Sequence, residues 1–386
     1  MRIALVTGHA APQHATAPAP DPRGQALRVA ALASTLASLG HQVTVYARKD
    51  SPARPASEEV AGVRFEYVPA GRAAALPSEK VLPLLGEFSD QLARRWQRWQ
   101  PDVVHAHYWT SGLAALGATR GSRVPVVQTF HSVGTARRAA PSADARTRLE
   151  RLVGRAVRGV LAGSTAELSA LTGLGVPRAA ITLVPFGVDT ERFGPEGPAA
   201  RRSKRARLLA AAPASADHRL DTVIAALAVL PGTELMIAGG PPRAEISADP
   251  VLRDLARLAE RAGVSDRVLF TGRVNQSRIP ALLRSADLFV QVAGEAGGIL
   301  PVESMACGTP VVAAEDGADA DEIVDGATGV LVRPGDPRAL ARQIRDLLAS
   351  PMLLEGYGIA AADRARARYS WERVGQQTVA AYERAA

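Results

Sequence analysis

Glu295 and Glu303 are separated by seven residues, and between them a glycine pair, Gly297 and Gly298, feeds a segment in which Pro301 suits a first helical turn. The spacing leaves the first carboxylate in a loop and sets the second within the first turns of a helix. Backbone amides at such a helix start suit an anionic oxygen, and a carboxylate accepts hydrogen bonds from two vicinal sugar hydroxyls. Both features serve a nucleotide sugar. Taken alone, two glutamates so spaced read first as a loop charge and a helix-surface charge. His131 ends the run "VVQTFH", while His105 and His107 alternate on "DVVHAH". A lone histidine reads first as structural, and the alternating pair reads as packed in a sheet.

The stretch "RLLAAAPASADHRLDTVIAAL" (207–227) raises a different question. It reads as a buried strand, a short polar loop and the opening of a helix, the place where α/β domains grip a phosphate. Yet the loop has no lysine and no glycine, and its only cations are His218 and Arg219.

These residues must be positioned by a chain of 386 residues, long enough for two domains. Its 47% hydrophobic and 22% charged residues are those of a globular protein. No apolar run reaches the ~18 residues of a membrane span. The start, "MRIALVTGHAAP", has no small-residue cleavage site, so a cytoplasmic address is expected. Cys307 is the single cysteine; it excludes an internal disulfide and a multi-cysteine metal site, and its small neighbours place it in the core. A net charge of +8 could attract nucleic acid, but Lys49, Lys80 and Lys204 are the only lysines and the arginines are scattered. The one dense cluster, Arg201, Arg202, Lys204, Arg205 and Arg207, reads as a solvated run in a linker.

Apolar runs alternate with helical patterns along the chain, starting with "RIALVTG", a helix over 24–40 and "HQVTVYAR". This is the pattern of an α/β protein with parallel, doubly wound sheets. Residues 1–190 form the expected N-terminal domain, 191–206 a linker and 207–368 a second domain of the same class. A final helix over 369–386 is expected to cross back to the N-terminal domain. Two such domains imply a cleft between two lobes, with ligands at the carboxyl ends of strands. In the second domain helices are expected from 219 and near 250–263, 277–285, 302–307 and 319–325. No G-x-G-x-x-G follows the first strand, and neither a P-loop nor a G-x-S-x-G elbow is present.

One stretch, "GEAGGILPVESMACGTPVVAAEDGADADEIVDGATGVLVRPGD" (294–336), closely resembles the retaining GT-B glycosyltransferases of family four. The resemblance continues in order through "PDVVHAHYWTSGLAAL", "VPVVQTFHSVGTARR", "LVPFGVDTERF", "IAGGPP", "LFTGRVNQSRIPALLRSADL" and "RARYSWERV". Within the family the chain is most similar to the actinobacterial branch near the mycothiol-pathway enzyme, which joins N-acetylglucosamine to inositol phosphate. The resemblance implies a GT-B fold of two Rossmann-like domains and a hexosyl transfer with retention. Neither metal nor cofactor is implied; the nucleoside diphosphate sugar is the donor substrate. The partners implied are that donor and a small acceptor, with no nucleic acid and no integral membrane association; a homodimer is a possible assembly.

Residue by residue, the resemblance gives His131 and Glu295 the catalytic positions beside the donor sugar, with Gly297, Gly298 and Ile299 offering amides. Glu303 would hold the ribose hydroxyls, and Gly272, Arg273 and Val274 would lie beside the base. Gly24 is what remains of a glycine pair near the donor phosphate, its partner being Arg23. Lys80, Tyr108, Ser132 and Arg146 fall where the acceptor phosphate is held. The family's arginine and lysine at the diphosphate fall on Pro213 and His218, and its two glycines on Ala212 and Arg219. Losing two charged hydrogen bonds would cost about 3–6 kcal/mol; a shift of one residue would let Arg219 restore one. The family's phenylalanine in the E-x-F-G turn is Gly297, which loosens the sugar pocket. An active transferase is therefore one expectation. The alternative is a glycosyltransferase-fold protein without ordinary transfer activity, either a pseudo-glycosyltransferase or a partner subunit. A sugar phosphorylase of the same fold is a third.

Overall fold

Runs such as "IALVT" and "VTVYAR" are apolar at nearly every position and become central strands buried on both faces. The computed structural model describes residues 1–8, 22–134, 141–211, 219–292, 299–316 and 320–386, without the side chains of 22–25, 78–79 and 141–144. The chain divides into two units: Met1–Gly187 with Trp371–Ala386, and Val188–Ser370.

In the first unit the strands are β1 (Arg2–Thr7), β2 (Gln42–Arg48), β3 (Ser57–Val60), β4 (Val63–Val68), β5 (Val103–His107), β6 (Val126–Thr129), β7 (Gly159–Ala162) and β8 (Ile181–Leu183). Their order is β3-β4-β2-β1-β5-β6-β7-β8, parallel except where β3 runs against β4. The helix Trp371–Ala385 packs on this unit, burying Val374, Ala381, Tyr382 and Ala385 with Val127 and Leu161. In the second unit β9 (Ala206–Ala211), β10 (Thr233–Ala238), β11 (Val268–Phe270), β12 (Leu288–Gln291), β13 (Val311–Ala314) and β14 (Gly329–Val332) form a parallel sheet of order β11-β10-β9-β12-β13-β14. Strand order reverses at β1 and at β9, which marks the carboxyl ends of β1 and β5, and of β9 and β12, as the crevices where such sheets take ligands.

The helix expected near 319–325 does not form. Residues 320–322 are a turn, and Thr328 accepts the Val324 amide at 2.8 Å through its hydroxyl. Helices Pro337–Leu348 and Pro351–Tyr369, and the short edge strand β3, go beyond the expected elements.

The basic cluster is solvated at Arg201, Arg202 and Lys204, as expected, but three of its arginines are paired and Arg207 is buried. Arg202 pairs with Asp287 at 2.6 Å, Arg205 with Asp266 at 2.8 Å, and Arg207 with Glu234 at 2.7 Å. The last pair is buried, joining neighbouring positions of β9 and β10, and Ser203 donates to the same glutamate at 2.7 Å. Burial opposes ionisation of Glu234, but the Ser203 and Arg207 hydrogen bonds prevail and hold its carboxyl below its ordinary value. The segment 191–206 is thereby tied into the second unit.

Removing one partner of a buried pair strands the other charge, whereas replacing both need not. Glu234→Ala is expected to cost about 3–5 kcal/mol in urea unfolding, and the double change Arg207→Met with Glu234→Leu to recover most of it.

Candidate functional site

The first unit gathers its polar groups where β5, β6 and β7 end. A strand's period of two puts His105 and His107 on one face, and both are buried. Their rings lie 4.1 Å apart. His105 bonds the Tyr382 hydroxyl at 2.7 Å through Nδ1 and the Thr129 hydroxyl at 2.8 Å through Nε2. His107 Nδ1 meets His131 Nε2 at 3.0 Å. The His131 ring stacks 7° from parallel on Phe186 at 5.8 Å, and the Arg28 guanidinium lies 3.8 Å from the centre of the Phe186 ring. A continuous row thus runs from Tyr382 through three imidazoles to Phe186 and Arg28. His131 has φ +62°, in the sparsely populated left-handed region.

The row is held uncharged at neutral pH. Burial holds the His107 imidazole down at about 3. Burial, followed by the neighbouring His107, also holds His105 and His131 well below the ordinary value, and Arg28 adds to the effect at His131. Glu167 goes the other way: burial raises its carboxyl to about 7, against the Gly163 amide and Arg28. Its residue position is the third of the helix Thr165–Gly173, where a capping glutamate normally reaches back to the cap amide. Here it accepts instead from Gly163 at 2.7 Å, while Ser164 caps the Glu167 amide at 3.1 Å.

Three of the four expected acceptor residues come together. Arg146 donates to the Ser132 carbonyl at 3.0 Å and its hydroxyl at 3.1 Å, and its guanidinium lies 5.3 Å from the centre of the Tyr108 ring. It is fixed from behind by the buried Glu150 at 2.6 Å, which also accepts the Gly134 amide at 2.7 Å. Lys80 is exposed on the helix Ser78–Val81 and is not joined to this group by a hydrogen bond or ion pair among the described residues.

In the second unit the expected base-side residues sit in two knitted loops. Gly239 donates to the Gly272 carbonyl at 3.1 Å and Arg273 to that of Pro241 at 2.9 Å. Gly272 has φ +66°, and a Cβ there would meet the Arg243 backbone at 2.9 Å, so only glycine closes this turn. Arg273 is exposed and Val274 half-buried. Glu303 lies in the first turn of the helix Leu300–Ala306, which Pro301 opens as expected, with Ile299 at its cap. Arg219 caps the helix Leu220–Leu227 in a left-handed conformation, φ 44°, which glycine adopts without steric cost. Its Nη1 lies 3.3 Å from where a Cβ on Gly335 would be. Gly24 falls in the first turn of the helix Pro22–Ser38. Glu295, Gly297, Gly298, Ala212, Pro213 and His218 lie outside the described residues.

Sequence reading missed Arg28, Phe186, Glu167 and Tyr382, and took His107 as packing alone. The capping pattern "STAE" was the only local signal; the others meet across the fold. Among the described residues, no group of three or more His, Cys, Asp or Glu side chains is set to hold a metal, and no helix is long and apolar enough to cross a membrane.

Residues 22–192 match the family described as Glycosyltransferase Family 4, and 198–364 match Glycosyl transferases group 1. The chain is 31% identical over 409 residues to D-inositol 3-phosphate glycosyltransferase 2 of Catenulispora acidiphila, covering 99% of this chain and 95% of that one. It is 32% identical over 416 residues to a D-inositol 3-phosphate glycosyltransferase of Xylanimonas cellulosilytica, covering 100% and 97%. Sucrose-phosphate synthase of Thermosynechococcus elongatus superposes with TM-score 0.84 at 25% identity, over 99% of this chain and 98% of that one.

The depressed imidazoles contribute stability that is present above about pH 6.5 and lost as pH falls toward their folded values. Urea unfolding is expected to weaken steeply below about pH 6, with two or more protons taken up per molecule. Glu167 has the opposite sign: its protonated form fits the fold, and stability falls as pH rises from about 4.5 through 7. Glu167→Gln is therefore expected to stabilise the protein by on the order of 2 kcal/mol at about pH 8 and by almost nothing at about pH 4.5.

Proposed function

Because the chain belongs to glycosyltransferase family 4, carrying the group 1 glycosyl transferase unit behind the family-4 unit, we propose that it is a retaining, metal-independent hexosyltransferase with no cofactor. Its donor is a nucleoside diphosphate sugar held by the second unit, and its acceptor is a small phosphorylated alcohol of the inositol phosphate class held by the first. The observation that carries the acceptor class is the Tyr108, Ser132 and Arg146 group. Glu150 and Ser132 engage two guanidinium nitrogens, leaving Nη1 without a partner among the described residues. A guanidinium fixed in this way is pre-organised for a phosphate. A cytoplasmic setting goes with this reading.

In the reaction the bond from the anomeric carbon to the diphosphate oxygen breaks. A bond to the acceptor hydroxyl forms on the same face, and the hydroxyl proton passes to the departing diphosphate. Stabilising the charge that grows on that diphosphate is the largest demand. The resemblance leaves Arg219 as the described cation for it, at the start of a helix whose amides add to the field.

The alternative, a protein of this fold without ordinary transfer, rests on Pro213 and His218 standing where the family's cations stand. Incubation with UDP, GDP, ADP and dTDP sugars and D-inositol 3-phosphate separates the two. We expect one donor to give an axial glycoside of retained configuration, unaffected by chelator, and Arg146→Met to raise the acceptor KM by about 10-fold or more. Absence of both transfer and donor hydrolysis with every donor would leave the alternative. Arg219→Gly is expected to raise the Tm, because it relieves a left-handed side chain, yet to raise the donor KM by about 10–100-fold.

A further inference from the structure

His107 and His131 share one hydrogen bond, Nδ1 to Nε2 at 3.0 Å, and each has a second nitrogen, His107 Nε2 and His131 Nδ1, that is buried without a hydrogen-bond partner among the described residues. Both rings are neutral, so two protons are distributed over four nitrogens and one of them sits in the shared bond. Only two arrangements satisfy this. Either His107 donates from Nδ1, and the second proton is on His131 Nδ1, or His131 donates from Nε2, and the second proton is on His107 Nε2.

The two arrangements differ in which nitrogen carries an unpartnered N–H. A buried orphan donor is rarer, and costs more, than a buried orphan acceptor. His107 lies inside β5 at 3% exposure, and its neighbour His105 has both nitrogens committed to Tyr382 and Thr129. The residue that carries Nε2 is almost wholly enclosed, which leaves a ligand less room there than at His131. His131 as a whole is half-buried and follows the end of β6; its Nδ1 is covered in this structure, so an incoming ligand must displace that cover to supply an acceptor. Stacking on Phe186, itself covered by Arg28, fixes the plane of the His131 ring.

We infer that His107 is a positioning residue that donates from Nδ1 and so fixes His131 as its Nδ1–H tautomer, a hydrogen-bond donor for a substrate oxygen. His131 then binds a sugar hydroxyl or phosphate oxygen through that N–H and cannot serve as a base at the same nitrogen. The substrate half of this inference rests on the glycosyltransferase reading; the tautomer half does not.

Long-range proton–nitrogen spectra of the full chain, with its seven histidines labelled with nitrogen-15, test it directly at about pH 7.5. His131→Asn and His107→Asn identify the two spin systems. The expected result is protonation of both His131 and His107 at Nδ1. Protonation of His131 at Nε2, or at both nitrogens, overturns the inference. In His107→Asn the side-chain amide takes the place of Nδ1 and should preserve the His131 tautomer; His107→Phe should shift it toward Nε2–H. An unchanged tautomer in His107→Phe would remove His107 from its role, and His107→Gln, whose amide falls at the place of Nε2, replaces that variant if it does not fold. Where transfer is observed, His107→Phe should raise the donor KM about 10-fold with a smaller change in kcat, and His107→Asn should recover part of the loss. Absent transfer with the Nδ1–H tautomer intact would count against the function, not against the tautomer.

Discussion

A row of three packed imidazoles at the strand ends of the first unit is held without charge, chiefly by burial, and much of the local architecture serves that condition. Tyr382 and Thr129 occupy both nitrogens of His105, so its ring needs no water. Arg28 reaches His131 across the face of Phe186 and makes a second positive charge there unfavourable. The last helix of the chain supplies Tyr382, which explains why Trp371–Ala385 belongs to the first unit although it follows the second in sequence. An uncharged histidine at a sugar can hydrogen-bond without drawing the donor's diphosphate toward it. On the proposed function, the cation for the diphosphate comes from elsewhere in the chain.

In the second unit the same logic runs through the backbone. The glycines at 239 and 272 let two loops approach closely enough to bond to each other, with the Thr271 hydroxyl bridging the Gly239 amide and the Gly272 carbonyl, which fixes Arg273 and Val274. Arg219 carries a side chain in a conformation that glycine adopts freely. Strain of this kind persists where the surroundings over-determine the backbone, and such positions cluster at functional sites. The strained Arg219 directly follows the segment on which the resemblance places the family's cations. Under the proposed function an arginine at position 219 would account for both, standing where the resemblance implies a glycine and bringing back a positive charge.

The alternation of buried apolar runs with helical patterns made both sheets legible, because parallel strands buried on two faces have few other solutions. Glu303 and Pro301 were legible for a related reason: their spacing sets the start of a helix by itself. The edge strand β3, "SEEV", was not, since a mostly exposed strand lacks the apolar run that signals one. The acidic, glycine-bounded 319–325 had a helical look, yet Thr328 satisfies the Val324 amide in a turn instead. Within the site, Tyr108, Ser132 and Arg146 could be placed from motif order. The His131, Phe186 and Arg28 stack could not, because its members are brought together from three distant segments by the sheet alone. The same holds for the ion pairs of the 201–207 run, whose acidic partners lie 27 to 85 residues away.

Whether Arg219 and the helix start behind it hold a diphosphate without the family's arginine and lysine is the point on which the assignment turns. Calorimetric titration of UDP, GDP, ADP and dTDP into the wild-type chain at low salt measures it most directly. One nucleotide is predicted to bind saturably with a Kd on the order of 10 μM, a little weaker than a fully charged site would give. Absence of binding by all four up to about 1 mM would contradict it, since less than about 4 kcal/mol would then be left to hold the donor.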